Sequence, residues 1–198
     1  SGAALACAIA PTAPEGSVPE AEDGTTLALE SGYAVFRGEA LCGFLDTDAA
    51  LGADLILGFA PQASYVLPDG SGGTVTVQLH TAKASLSPVR NGGETAVRIA
   101  VRVRAGVTES SGADTADAEM LARLEDGLSR AVAAQIEAAA EASKALDADF
   151  LELWRVLPEV KDEGVLTSLR TLVQTESVLE RSYDIYGSAH GKEESEHG

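Results

Sequence analysis

The sequence predicts an α+β fold, with an antiparallel or mixed sheet that carries one long amphipathic helix and shorter helices on one face. Residues 97–104 alternate apolar and basic side chains, a pattern typical of a half-buried strand. Residues 121–136 repeat apolar side chains at three- and four-residue spacing, which predicts a helix lying on a sheet. Strands precede this helix and another follows it, and this order indicates the α+β class.

Composition divides the chain into three parts. Residues 1–24 combine an apolar stretch, predicted as the last strand of a preceding domain, with a Pro- and Gly-rich linker over 11–24. Residues 25–186 form the predicted folded domain. Residues 187–198 are polar and are predicted to be a disordered tail.

The first half of the predicted domain is mostly strands. An extended segment at 26–37 pairs with 40–45. Asp46 and Thr47 are predicted to cap a short helix at 49–57, which Gly58 and Pro61 end. Strands at 63–67 and 73–80 follow, separated by a turn at 68–72. A turn at 90–93 leads into the alternating strand. We expect these strands to form a half-buried antiparallel sheet, most naturally a meander.

The second half is mostly helical. Asp114 and Thr115 are predicted to cap the long helix, with Asp117 and Glu119 beside the positive end of its dipole. A shorter helix is predicted at 149–157, where Trp154 lies and Pro158 follows. A closing strand is predicted at 171–185, which is rich in Thr, Val and Tyr.

The net charge argues against several classes of partner. The 198 residues include 31 acidic and 14 basic side chains, for a net charge of −17. Such an excess repels nucleic-acid phosphates and anionic lipid, so nucleic-acid binding is disfavoured. No apolar run is long enough to span a bilayer. Leu5-Ala6-Cys7 resembles a lipoprotein cleavage site, but no charged and apolar leader precedes it, so we expect any signal or anchor to lie upstream.

The sequence predicts no catalytic residue, metal site or cofactor. The sequence contains no G-x-S-x-G elbow, no C-x-x-C and no paired histidines, and His80 is the one histidine outside the tail. Asp46 and Asp48 are better explained as helix-capping residues than as calcium ligands. Two cysteines, Cys7 and Cys42, leave the redox compartment open, and a bridge between them is not favoured.

Arg98, Arg102 and Arg104 form an unusual basic stripe in so acidic a chain. Their even spacing on a strand predicts that the three guanidinium groups project from one face of the sheet. One interpretation is a solvated face balanced by neighbouring carboxylates. The other is a dock for an acidic partner or a membrane headgroup.

Several segments, taken in order, resemble the C-terminal domain of the spore germination GerAC (Ger(x)C) lipoprotein family. Residues 32–46, GYAVFRGEALCGFLD, resemble the family's opening G-x-A-V-F-x-x-x-x-L-V-G-x-L-(D/N) hairpin and helix start. Residues 78–88 resemble its (S/T)-x-(K/T)…P strand. The alternating strand, the long helix, an x-D-(F/I) step at 148–150 and a closing strand ending near 180–183 follow. The region after Phe150 is shorter than in the family, and the family's final R-x-T-G is absent.

This resemblance implies a non-catalytic subunit of a nutrient germinant receptor. The full protein would be lipid-anchored on the extracytoplasmic face of the spore inner membrane, beside two integral-membrane subunits of A and B type. It implies no catalytic residues and no cofactor. An unrelated extracytoplasmic binding or adhesion domain is the alternative, and an enzyme of unrecognised type is a third hypothesis.

Overall fold

The computed structural model describes residues 3–10, 29–59, 63–91, 94–111 and 117–180. The strands and helices have the following bounds: β1 Ala3–Ala10, β2 Leu29–Arg37, β3 Ala40–Phe44, α1 Thr47–Leu57, β4 Ser64–Pro68, β5 Thr74–Asn91, β6 Glu94–Ser110, α2 Ala118–Ala145, α3 Val165–Ser168 and β7 Arg170–Glu180. Two 3-10 helices, Leu153–Arg155 and Pro158–Lys161, lie between α2 and α3. The predicted linker at 11–24 and tail at 187–198 lie outside the described residues.

The strands form two sheets, and the predicted α+β class is confirmed. One sheet has the order β1-β2-β3 and is antiparallel. The other has the order β4-β5-β6-β7 and is mixed, because β7 runs parallel to β6 while the other pairs are antiparallel. The meander is confirmed for β4, β5 and β6. The β2–β3 hairpin does not join it but pairs with β1, and the division of the chain into domain, linker and tail stays a prediction.

Helix α2 covers the inner face of the four-stranded sheet. Its predicted apolar stripe is confirmed, since Leu124, Leu128, Val132 and Ile136 are at most 1% exposed. From the sheet, alternate β6 residues face this stripe, and they too are buried: Val97, Ile99, Val101 and Val103. Burying each such side chain contributes about 1.5–3 kcal/mol, so this layer is the main source of stability in the fold.

Helix α1 packs against α2 through a glycine. The added Cβ of an alanine at Gly52 would overlap the carbonyl oxygen of Gln135, so only glycine allows the two backbones to approach this closely. The ends of α1 are as predicted. Asp46 caps the first turn by accepting the Ala49 N–H at 2.8 Å, and Gly58 ends the helix in the left-handed conformation.

Two sequence predictions about the helical half are wrong. The N-cap of α2 is Asp117, whose carboxylate accepts the N–H groups of Glu119 and Met120; residues 114 and 115 lie outside the described part. Residues 149–157 do not form an α-helix. Glu152 has a left-handed backbone (φ 58°), which interrupts an α-helix, and the segment forms a 3-10 helix instead.

Candidate functional site: the basic face of the four-stranded sheet

The outer face of the four-stranded sheet carries the basic residues singled out by the sequence. Arg98, Arg102 and Arg104 lie on β6 between the buried positions, so all three project away from α2, as predicted. Lys83 on β5 lies directly opposite Arg102 and extends the same face. We call these four residues the basic face.

Two carboxylates from β7 neutralise part of the basic face. Arg102 donates from Nε and Nη2 to Glu176 Oε2, at 3.0 and 2.7 Å. Arg104 Nη2 lies 2.8 Å from Glu180 Oε1, and His80 Nδ1 lies 3.1 Å from the other oxygen of the same carboxylate. These pairs are exposed, with Arg102 64% and Glu176 58% accessible, so each contributes at most about 1 kcal/mol. The balancing carboxylates weighed in the sequence analysis are therefore present beside two of the three arginines.

Arg98 and Lys83 differ from the paired arginines. Arg98 lies between Ser87 on β5 and Leu172 on β7, and neither neighbour carries a charge. Its Nε is covered by surrounding atoms and has no hydrogen-bond partner among the described residues. Lys83 is exposed and forms no ion pair within the described part of the chain. The basic face thus keeps uncompensated positive charge in a protein with a net charge of −17.

A shallow groove crosses the basic face at Ala100. The small side chain of Ala100 leaves a floor between the longer side chains on either side, which come from all three strands: Lys83, Ser85, Arg102, Gln174 and Glu176. These walls offer a cationic donor, a hydroxyl, an amide and a carboxylate. Such a groove offers hydrogen-bonding groups to an extended polar segment of a partner.

A second concave region lies at the C-terminal end of α2, and the sequence analysis did not predict it. Arg37 Nη2 reaches it from β2, lying 3.1 Å from Asp147 Oδ2 and donating to the Leu146 carbonyl at 3.1 Å. Lys161 Nζ lies 4.0 Å from the ring centroid of Trp154, a cation–π contact. Charged residues flank the pocket, and the contacts of Arg37 with Leu146 and Asp147 fasten β2 to the end of α2.

Asp149 in this second region stabilises the local backbone. Its two oxygens accept the N–H groups of Leu153 and Trp154, each at 2.9 Å. Burial raises the pKa of the Asp149 carboxyl, although these two hydrogen bonds act in the opposite direction. Because both oxygens are already used as acceptors, the geometry gives Asp149 a capping role. The sequence signal that could have identified this capping role is the Asp of the x-D-(F/I) step at 148–150.

The other sequence-predicted groups are far from a reactive arrangement. His80 sits at a β-bulge in β5 and contacts Glu180. Among the described residues, no cluster of three or more His, Cys, Asp or Glu side chains could hold a metal ion. Cys42 is a free thiol, and the side chain of Cys7 lies outside the described part. No helix in the described ranges is both long and apolar enough to cross a membrane.

The chain resembles known proteins in sequence and in fold. The family model described as "Spore germination B3/ GerAC like, C-terminal" matches residues 31–160. The crystal structure of the GerBC protein superposes with a TM-score of 0.66 at 17% identity, covering 81% of this chain and 54% of GerBC. The chain therefore spans about half the length of that structure, and at this identity the likeness establishes the fold alone. No curated protein matches the chain.

The family match covers β2 to the second 3-10 helix, which includes the basic face on β6 and most of the second region. It also covers the opening hairpin on which the sequence resemblance was based. Since it spans well over half of the chain, the unrelated binding or adhesion domain is excluded. The chain belongs to the family of spore germination B3/GerAC-like C-terminal domains.

Proposed function

We propose that the chain is the non-catalytic C-terminal domain of a subunit of a nutrient germinant receptor. The full-length protein acts in spore germination through protein–protein contacts, held by an upstream lipid anchor on the extracytoplasmic face of the spore inner membrane. Its partners are the integral-membrane A- and B-type subunits. The observation that supports this proposal is the family match over residues 31–160.

The basic face is the surface that we propose for docking. A docking surface in an acidic protein needs local charge of the opposite sign to guide its partner, because like charges disfavour encounter. Arg98 and Lys83 supply such charge without a carboxylate neighbour among the described residues, and Arg102 is exposed beside them. The partner is then an acidic protein segment that lies along the Ala100 groove.

The contacts of the polar groups support a non-catalytic role. Hydrolytic and transfer reactions need a base within hydrogen-bond distance of a nucleophile. His80 contacts Glu180, and the oxygens of Asp149 accept backbone N–H groups. Neither group is placed beside a nucleophilic hydroxyl or thiol in the contacts of the described residues.

The test is co-purification of the full-length protein with its membrane subunits from spores. The docking variant carries Arg98→Gln, Arg102→Gln and Arg104→Gln, which remove the charge without placing new carboxylates beside Glu176 and Glu180. A second variant with Glu at the same positions reverses the charge. The matched control carries Gln at exposed arginines away from the basic face: Arg123, Arg130 and Arg155.

The expected result is that the wild type and the control recover the receptor subunits. The Gln variant should recover at least tenfold less, and the Glu variant less again. Circular dichroism and thermal unfolding of each variant check that the fold is retained. If the wild type recovers neither membrane subunit, the receptor assignment is wrong. If the Gln variant recovers as much as the control, docking uses another surface.

A further inference from the structure

Strand β7 has an open outer edge. It pairs with β6 on one side, and no strand of the described residues pairs on the other. The Leu179 N–H donates to Glu125 Oε1 on α2 at 2.9 Å, so this N–H points away from β6. Backbone groups alternate in direction along a strand, and therefore those of Thr171, Val173 and Thr175 also face the open side.

This edge has fewer of the features that normally protect an exposed strand, although Glu125 of α2 occupies the N–H of Leu179 at one end. The second half of β5 is also unpaired on its outer side among the described residues, because β4 reaches only Gln78. That edge carries Lys83, Pro88 and Arg90, and such residues discourage pairing with another strand. Strand β7, with the sequence RTLVQTESVLE, contains neither Pro nor Lys. Of these two edges, β7 is the one suited to accept a further strand.

We propose that the strand added at this edge is β7 of a second copy of this chain. The two strands run antiparallel about a twofold axis at Thr175, which makes one continuous sheet through both copies. In this register Thr175 faces Thr175, and the outward-pointing backbone groups of both strands meet as hydrogen-bonded pairs. The N–H of Leu179, which donates to Glu125 in the single chain, then donates to the second copy instead of Glu125 or to both.

The side chains on the outer face are self-complementary in this register. Arg170 lies opposite Glu180 of the second copy, which joins opposite charges. Leu172 lies opposite Val178, which joins two apolar side chains, and Val178 is 37% exposed in the single chain. Gln174 lies opposite Glu176, an amide that can donate to a carboxylate. Each pairing occurs twice because of the symmetry.

Neighbouring registers lose this complementarity. A shift by two residues in one direction places Arg170 against Val178 and Leu172 against Glu176. A shift in the other direction places Leu172 against Glu180 and Glu176 against Glu176, a pair of like charges. Opposite charges on facing residues stabilise a strand pair and like charges destabilise it, so the sequence favours the register centred on Thr175.

The helix side of the sheet supports the same register. Glu125 on α2 lies beside Leu179, and Lys144 near the other end of α2 lies beside Thr171, 3.5 Å from its Oγ1. Leu179 faces Thr171 of the second copy, so Glu125 of one copy approaches Lys144 of the other. The Glu125–Lys144 match lies on α2, whereas the Arg170–Glu180 pair lies on β7.

Disulfide trapping tests both the pairing and its register. In a background with Cys7→Ala and Cys42→Ala, one protein carries Gln174→Cys and a second, isotopically labelled, carries Glu176→Cys. These positions are a non-hydrogen-bonded pair with Cα atoms about 4.5 Å apart, which is within the range for a disulfide. The control mixture pairs Gln174→Cys with Val178→Cys, which face each other only in a shifted register.

The expected result is a mixed disulfide between the Gln174→Cys and Glu176→Cys proteins, with at least tenfold less product in the control mixture and in each protein alone. Sedimentation should find a concentration-dependent dimer of the wild type. Leu172→Lys should weaken that dimer about tenfold, because two apolar pairs are lost. Adding Lys83→Gln, at a basic-face residue that pairs with no β7 carboxylate among the described residues, should leave the dimer unchanged, which distinguishes the dimer from docking through the basic face.

Three results would overturn the proposal. A wild type that stays monomeric at every concentration would mean that another segment of the chain, or a different partner, covers the β7 edge. A dimer without the mixed disulfide would place the contact on another surface. A disulfide that forms as readily in the control mixture would refute the register.

Discussion

The contact between α1 and α2 depends on the absence of a side chain at Gly52. Gly52 on α1 faces the backbone of α2 at Gln135, and Ala139 Cβ lies 3.0 Å from the position of an added Cβ. The group that would clash is a main-chain carbonyl, which cannot rotate away as a flexible side chain can. Gly52→Ala should therefore push the two helices apart.

The expected cost follows from two opposing effects. Adding a methyl group to a packed core costs about 1–3 kcal/mol, and a backbone clash belongs at the upper end of that range. Alanine is favoured over glycine within a helix by about 1 kcal/mol, which offsets part of the cost. The free energy of unfolding should fall by about 2 kcal/mol, equivalent to a decrease in Tm of about 4–8 °C for a chain of this size.

Urea unfolding followed by circular dichroism measures this effect, with Gly127→Ala as the matched control. Gly127 also lies within a helix, but its added Cβ would meet only Leu67 Cδ2, at 3.8 Å. This control should gain about 0.5–1 kcal/mol from helix propensity alone. If Gly52→Ala is as stable as wild type or stabilised as the control is, the close approach of α1 and α2 would be refuted.

Two further predictions concern buried polar groups. Asp149→Ala should lower the free energy of unfolding by about 2 kcal/mol, because two N–H groups lose their acceptor. Burial raises the pKa of Asp149 above 3.8, so the folded state holds the carboxyl proton more tightly than the unfolded state does. The difference in unfolding free energy between wild type and this variant should therefore shrink as pH rises from below 3.8 through the raised pKa. Urea titrations at several pH values measure this difference. Burial also raises the pKa of Tyr65 to about 12 from 10.0, so stability should fall as pH rises between these values. Tyr65→Phe should lessen that alkaline loss in thermal unfolding, while losing about 1 kcal/mol at neutral pH with the hydrogen bond to Gln135.

The parts of the fold predicted from the sequence are those governed by local patterns. The alternation along β6 and the apolar stripe of α2 each arise because one side of the element is buried and the other is exposed. Both predictions are confirmed. Asp46 and Gly58 are correctly placed at the ends of α1, because capping depends on a few adjacent residues. The closing strand predicted at 171–185 is present as β7 over Arg170–Glu180, and residues 181–185 of that prediction lie outside the described part.

The features that were missed depend on contacts distant in sequence. Nothing in the pattern of 171–185 indicates that β7 runs parallel to β6, and so the pairing of Arg102 with Glu176 could not be derived. The helix predicted at 149–157 is wrong because of a signal that only the structure reveals. That signal is the left-handed backbone at Glu152, together with the two hydrogen bonds to Asp149.

The parallel pairing of β6 and β7 also bears on how the chain acquires its structure during synthesis. Arg102 and Glu176 are 74 residues apart, so β6 leaves the ribosome long before its neighbour has been translated. Contacts between distant residues form slowly, because a long loop must close first. Until β7 arrives, the nascent chain exposes the β6 edge and the side of α2 that β7 covers. We expect this interval to be the one most prone to misassembly, and a chaperone that shields strand edges would act on the chain at this stage.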